Sequence, residues 1–104
     1  MSEVVQIDFS PIRGHEQANL RPAVVLSSQG FNDKTGLIVC IPCTTKIKGN
    51  PFEVVLTSLR EPSAALTYHI RTLDWRDRQA FSVGFVSSAE IDEIRGKVIA
   101  VLGL

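Results

Sequence analysis

Apolar residues along this 104-residue chain come in short runs divided by polar clusters, the pattern of a small β-rich domain. Val4-Val5-Gln6-Ile7-Asp8-Phe9 sets Val5, Ile7 and Phe9 on one face of a first strand, which Ser10-Pro11 ends. Residues 22–28 are nearly all apolar, as expected of a strand buried on both faces. Residues 29–36 hold Gly, Asn, Asp and Gly and read as a turn region. Leu37-Ile38-Val39-Cys40-Ile41 is a third strand, and Pro42, which has no N–H for a ladder, predicts an irregular exit. Strand character returns over residues 52–56. Residues 64–73 fit strand or helix, and their β-branched and aromatic content favours strand. Residues 74–78 read as a charged turn or a single helical turn, and residues 79–85 as a last short strand.

The C-terminal segment carries the clearest helix signal. Ser87 and Glu90 have the spacing of a capping box, with Val86 and Ile91 at the staple positions around it. Glu90, Asp92 and Glu93 favour the positive end of the helix, and Arg95 and Lys97 follow them. Ile91, Ile94, Val98 and Val101 recur at helical spacing and form one apolar stripe that needs a surface to cover it. Gly96 weakens the helix by about 1 kcal/mol relative to alanine. About six short strands and one terminal helix make an α+β, mostly β, fold spanning residues 1–104 as a single domain.

Composition narrows the function. Eleven basic and eleven acidic residues cancel, which excludes a coat-like, non-specific nucleic-acid binder and leaves room for a local basic patch. Membrane spanning needs an apolar run of about 20 residues, and none exists. The N-terminus lacks a secretion signal, so the expected location is the cytoplasm. Cys40 and Cys43 make a C-x-x-C that follows a strand-like run. Three apart on a strand, they point to opposite faces, so they read as two strand thiols. A zinc site would need two further ligands, and no paired histidines or second C-x-x-C supply them. No metal or cofactor is expected.

The chemistry gathers on residues 14–22, a loop with a glycine, an imidazole, a carboxylate, an amide and a guanidinium. Arg21 suits bidentate grip of phosphate, but Glu16 and Arg21 could equally close the loop as a salt bridge. His15 titrates near neutrality and is either a proton carrier or a solvated loop residue. The second histidine of a zinc-protease H-E-x-x-H is missing, since Asn19 stands there. Thr44 and Thr45, beside Lys46 and Lys48 where the third strand exits, suit phosphate contacts or a solvated turn. On a strand, Tyr68 and Ile70 would share one face and His69 and Arg71 the other, offering rings for base stacking or for packing.

Four stretches, in order and spacing, resemble the MazF/PemK family of toxins from bacterial toxin–antitoxin pairs. They are Asp8-Phe9-Ser10-Pro11; Gly14-His15-Glu16-Gln17 with Arg21-Pro22-Ala23-Val24-Val25-Leu26-Ser27; Pro42-Cys43-Thr44-Thr45 with Lys48-Gly49-Asn50-Pro51-Phe52-Glu53-Val54; and Ile70-Arg71-Thr72-Leu73-Asp74. The resemblance implies a small SH3-like barrel with a C-terminal helix, usually a homodimer. It implies a metal-independent ribonuclease that cuts single-stranded mRNA at short motifs and is neutralised by an acidic antitoxin lying over the RNA groove. Arg21 and Thr44 then match the family's active-site arginine and threonine, and Glu16 its loop glutamate, with Glu16 or His15 as proton carrier. Gln17, Thr45, Lys46, Lys48, Tyr68, His69 and Arg71 are the RNA-contact candidates. The sequence departs from the pattern at Tyr68-His69, where many members have an acid followed by glutamine. Leu66 stands where some members have arginine, and Gln6 where tryptophan is frequent. Two alternatives are a non-catalytic gyrase inhibitor of the same fold and an RNA-binding remnant.

Overall fold

In the computed structural model, which describes residues 2–10 and 20–104, the apolar runs pair into one sheet. Along the chain lie β1 (Ser2–Asp8), β2 (Leu20–Val25), α1 (Gln29–Thr35), β3 (Leu37–Thr44), β4 (Glu53–Leu56), β5 (Ser63–Leu66), β6 (Arg71–Asp74), β7 (Phe81–Val86) and α2 (Ser88–Leu102). Neighbours run β4-β5-β3-β2-β1-β7, with β6 also on β3, and every pairing is antiparallel. The sheet curls into a half-barrel with β4 and β7 as its edges.

β-Strand side chains alternate between faces, and here both faces are buried. Val4, Val24, Ile41, Cys43, Val54, Leu56 and Ala65 join Ile91 and Ile94 of α2 in one core cluster. Val5, Ile7, Ala23, Val25, Ile38, Cys40 and Leu73 form the other, with Phe9 and Trp75 packed against it. Double burial explains why the second strand reads as a continuous apolar run rather than an alternating one. Cys40 and Cys43 are free and fall in separate clusters, as their spacing predicts. Burial pushes both thiols up to about 12, Arg71 pulling Cys40 only partly back, so neither is a thiolate at neutral pH.

The capping box forms as expected: Glu90 N donates to Ser87 Oγ at 3.1 Å and Ser87 N to Glu90 Oε1 at 2.9 Å. The helix stripe is covered except at its C-terminal end. Ile91 and Ile94 are buried and Val98 is packed against the core, but Val101 is exposed.

Four expectations need correction. Residues 29–36 are a helix ended by a glycine, not a turn region. Ser28 Oγ accepts from Phe31 N, and Gly36 ends the helix in the left-handed region at φ +74. No residue of α1 is buried, so it left no apolar period to read. β3 continues through Pro42 to Thr44. On its outer side β6 pairs with residues 37–40 and β5 with residues 43–44, and the gap between them is where a missing N–H costs least. Residues 64–73 are two strands: Thr67 and Tyr68 turn the chain, and His69 N donates to Leu66 O at 3.0 Å. The buried Thr67 hydroxyl is satisfied by Phe52 O at 2.6 Å, a partner 15 residues away. Finally, Leu20 and Arg21 belong to β2, paired with Asp8 and Ile7, and not to the preceding loop.

Candidate functional site

Arg21 sits where β2 begins. Its register partner Ile7 faces the cluster holding Val5 and Ala23, so Arg21 lies on that same face of the sheet, at its exposed end. β3 brings Pro42 opposite Ala23, the last pair of the β2–β3 ladder, and Thr44 follows Pro42 on the same face of β3, where it pairs with Ala64 of β5. Arg71 opens β6 opposite Cys40, again on this face. Three strands thereby converge on a cavity of about 300 Å³ lined by Phe9, Arg21, Pro42, His69 and Arg71. Thr44 lies one pleat beyond Pro42, half-buried.

The lining is two cations, an imidazole and two apolar walls; none of these described residues is a carboxylate. Arg71 Cζ stands 5.7 Å from the centre of the Phe9 ring, which steadies the guanidinium over an aromatic face. Thr44 Oγ1 accepts from Lys46 N at 3.1 Å and keeps its own hydrogen to donate. Two guanidinium groups with no carboxylate among the described lining residues make a candidate anion site.

The basic segment after β3 is fastened to the same end. Glu53, buried at the start of β4, accepts from Lys48 N at 3.1 Å and Gly49 N at 2.8 Å, both through Oε1. Asn50 Nδ2 donates to Tyr68 Oη at 3.1 Å. The Tyr68 and His69 rings meet edge to face at 4.7 Å and 87°. A chain of contacts thus runs from the loop bearing Thr45, Lys46 and Lys48, all exposed, through Tyr68 to His69 in the cavity wall. The expected strand alternation of Tyr68 and His69 does not hold, because both lie in the connection between β5 and β6.

His15, Glu16 and Gln17 lie outside the described residues. The chain enters their segment from Ser10, and that entry is clamped. Arg78 Nη1 donates to Asp8 O at 2.7 Å and Ser10 O at 2.8 Å, while Asp8 Oδ1 accepts from Ser10 N and Oγ at 2.8 and 2.6 Å. Sequence reasoning gave no role to Phe9 as a cavity wall, Glu53 as the loop's anchor or Arg78 as a clamp. Glu53 alone left a trace, as an acid directly before the apolar run of β4. Among the described residues no group of three or more His, Cys, Asp or Glu side chains could hold a metal ion.

These features define a class: a small curled sheet with a C-terminal helix and a cationic notch suited to phosphate. Within it, the chain belongs to the PemK-like, MazF-like toxins of type II toxin–antitoxin systems, matched over residues 2–102. It is 43% identical over 103 residues to the endoribonuclease toxin MazF of Escherichia coli K12, covering 99% of this chain and 93% of that one. Among solved structures, MazF from Deinococcus radiodurans superposes with a TM-score of 0.88 at 41% identity, covering 98% of this chain and 94% of that one. A MazE–MazF structure from the same organism gives 0.85 at 36% identity, covering 98% and 92%.

Proposed function

We propose that this chain is a metal-independent, sequence-specific endoribonuclease toxin that cuts single-stranded mRNA, arrests translation and growth, and is held in check by a cognate acidic antitoxin. The chain is an endoribonuclease of the MazF type on its likeness to relatives so named. The observation that carries the finer reading is the cavity lined by Arg21 and Arg71, with no carboxylate among its described residues, beside the end of β3 that bears Thr44.

In the proposed reaction the ribose 2′-hydroxyl attacks its own phosphate, giving a 2′,3′-cyclic phosphate and a 5′-hydroxyl. Arg21 clamps the phosphoryl oxygens as charge builds on them, and the Thr44 hydroxyl donates to one of them. An arginine with a pKa above about 12 is a poor base at neutral pH, so a separate proton carrier is needed, for which Glu16 and His15 are candidates. Gln17, Thr45, Lys46, Lys48, Tyr68, His69 and Arg71 bind the flanking nucleotides, the lysines at phosphates and the rings against bases. A MazE–MazF assembly among the relatives supports the antitoxin partner. Apolar surface at Ile99 and Leu102 of α2 and at Phe81, Val83 and Phe85 of the edge strand β7 supports a homodimer, for which the proposed location is the cytoplasm.

The test is incubation with long single-stranded RNA in excess EDTA. Discrete fragments ending in cyclic phosphate are expected, with turnover lowered about 10²-fold or more by Arg21→Ala. Intact RNA alongside trapped gyrase–DNA complexes would favour the non-catalytic inhibitor, and Arg21→Ala cleaving at the wild-type rate would remove Arg21 from the mechanism.

A further inference from the structure

Resting on the ribonuclease reading above, we infer that Lys97 of α2 is a positioning residue for RNA binding. Its ammonium fixes the start of β4, and Glu53 passes that constraint to the loop bearing Lys46 and Lys48.

Helix α2 lies along the edge strand β4, with Ile91 and Ile94 in one core cluster with Val54 and Leu56. Polar ties hold both ends of the strand to the helix. Glu90 accepts from Thr57 N at 2.8 Å and Ser58 Oγ at 2.5 Å, just past the end of β4. Lys97 Nζ, further along α2, donates to Glu53 O at 3.0 Å at the strand's start. From Glu90 to Lys97 the helix rises about 10 Å, and from Glu53 to Thr57 the strand advances about 13 Å, so the two run antiparallel with one tie at each end. Glu93 Oε2, one turn back on α2, lies 3.2 Å from Lys97 Nζ and holds the ammonium from the helix side.

The two ties differ in what lies beyond them. Thr57 leads into the connection to β5, whereas Glu53 closes the lysine loop. Glu53 N donates to Asn50 O at 3.1 Å, and Glu53 Oε1 accepts from Lys48 N at 3.1 Å and Gly49 N at 2.8 Å. The carbonyl that Lys97 grips and the carboxylate that shapes the loop belong to one residue, so freeing the first lets the second move. Lys46 and Lys48 are exposed and lie outside any strand, so few bonds keep them in place. Ordering a loosened loop costs free energy when RNA binds, and that cost falls on binding rather than on the bond-breaking step.

Steady-state cleavage of single-stranded RNA in EDTA tests this with wild type, Lys97→Met, Lys97→Arg, Glu90→Gln and Lys48→Ala. Lys97→Met keeps the apolar stem and removes the ammonium; it should raise KM about 3- to 10-fold with kcat within about twofold. Lys97→Arg keeps a donor and should restore most of the binding. Glu90→Gln cuts the tie at the other end of β4 and should leave KM unchanged, which separates positioning from loss of stability. The salt dependence of KM should keep its wild-type slope in Lys97→Met and become shallower by about 0.7 in Lys48→Ala, since only the latter removes a phosphate contact. In a Glu53→Ala background Lys97→Met should add nothing to KM. Hydrogen exchange at Lys48 N and Gly49 N should quicken in Lys97→Met and not in Glu90→Gln, a readout that needs no cleavage. A Lys97→Met enzyme within about 1.5-fold of wild-type KM, or equal rises in KM for Lys97→Met and Glu90→Gln, overturns the inference while the ribonuclease reading stands. Wild type that leaves RNA intact in EDTA overturns both.

Discussion

Replacing Glu90 by glutamine should destabilise the fold by about 1–2 kcal/mol at pH 7, and that cost should disappear in acid. The Glu90 carboxylate does more than cap α2. Oε1 accepts from Ser87 N at 2.9 Å and from Ser58 Oγ at 2.5 Å, and Oε2 accepts from Thr57 N at 2.8 Å. One side chain therefore joins the helix start to the end of β4, more than 30 residues away in sequence. Partial burial pushes the carboxyl up, but the hydrogen bonds from Ser58, Ser87 and Thr57 outweigh it and hold the group down at about 2, against an ordinary 4.5. By linkage that displacement sets a ceiling of about 3 kcal/mol. Exposure to solvent screens the interaction and brings the expected value to about 1–2 kcal/mol. Glutamine in either orientation turns an NH₂ toward a backbone N–H, so at least one accepted bond is lost.

The sign follows from the lowered value in the folded state. The contribution is fully present above the unfolded carboxyl's 4.5 and is lost as pH falls through about 2. Urea denaturation of wild type and Glu90→Gln at equal protein concentration, from pH 7 down to pH 3, reads it directly. The gap should be constant above about pH 5 and narrow below about pH 4.5. A gap under about 0.3 kcal/mol at pH 7, or one that fails to narrow in acid, would refute the reasoning.

Two further substitutions probe the site's support and the helix. Glu53→Ala leaves Lys48 N and Gly49 N without their acceptor; it should cost about 1–3 kcal/mol and raise KM for RNA more than it lowers kcat, measured by urea denaturation and steady-state cleavage. An unchanged KM would mean that the lysine loop does not bind RNA. Gly96→Ala should stabilise by about 0.5–1 kcal/mol in thermal unfolding, because a Cβ there meets nothing within 4 Å and glycine is costly inside a helix. A lower melting temperature would place residue 96 against a surface that this chain alone does not show.

Much of the architecture was legible because it depends on local chemistry. Ser87 and Glu90 announced the start of α2 since a capping box is satisfied within four residues of chain. The unbroken apolar run through Val24 and Val25 announced a central strand since burial on both faces leaves no polar alternation. The spacing of Cys40 and Cys43 was enough to separate them, because a strand's period of two fixes their faces. Arg21, Thr44 and Arg71 were named as candidates from residue type and from likeness to a family.

What only the tertiary structure decided depends on partners remote in sequence. α1 escaped notice because it packs no buried residue and so carries no period. Pro42 looked like a breaker until the change of partner from β6 to β5 supplied the one place along β3 that tolerates it. Thr67 and Tyr68 looked like strand residues because their turn is satisfied by Phe52 and Asn50, which no local pattern reveals. The cavity joining Phe9, Arg21, Pro42, His69 and Arg71 is of the same kind: the folded sheet brings it together from four stretches of chain. Sequence displays the propensity of each piece, whereas proximity between pieces is a property of the folded sheet.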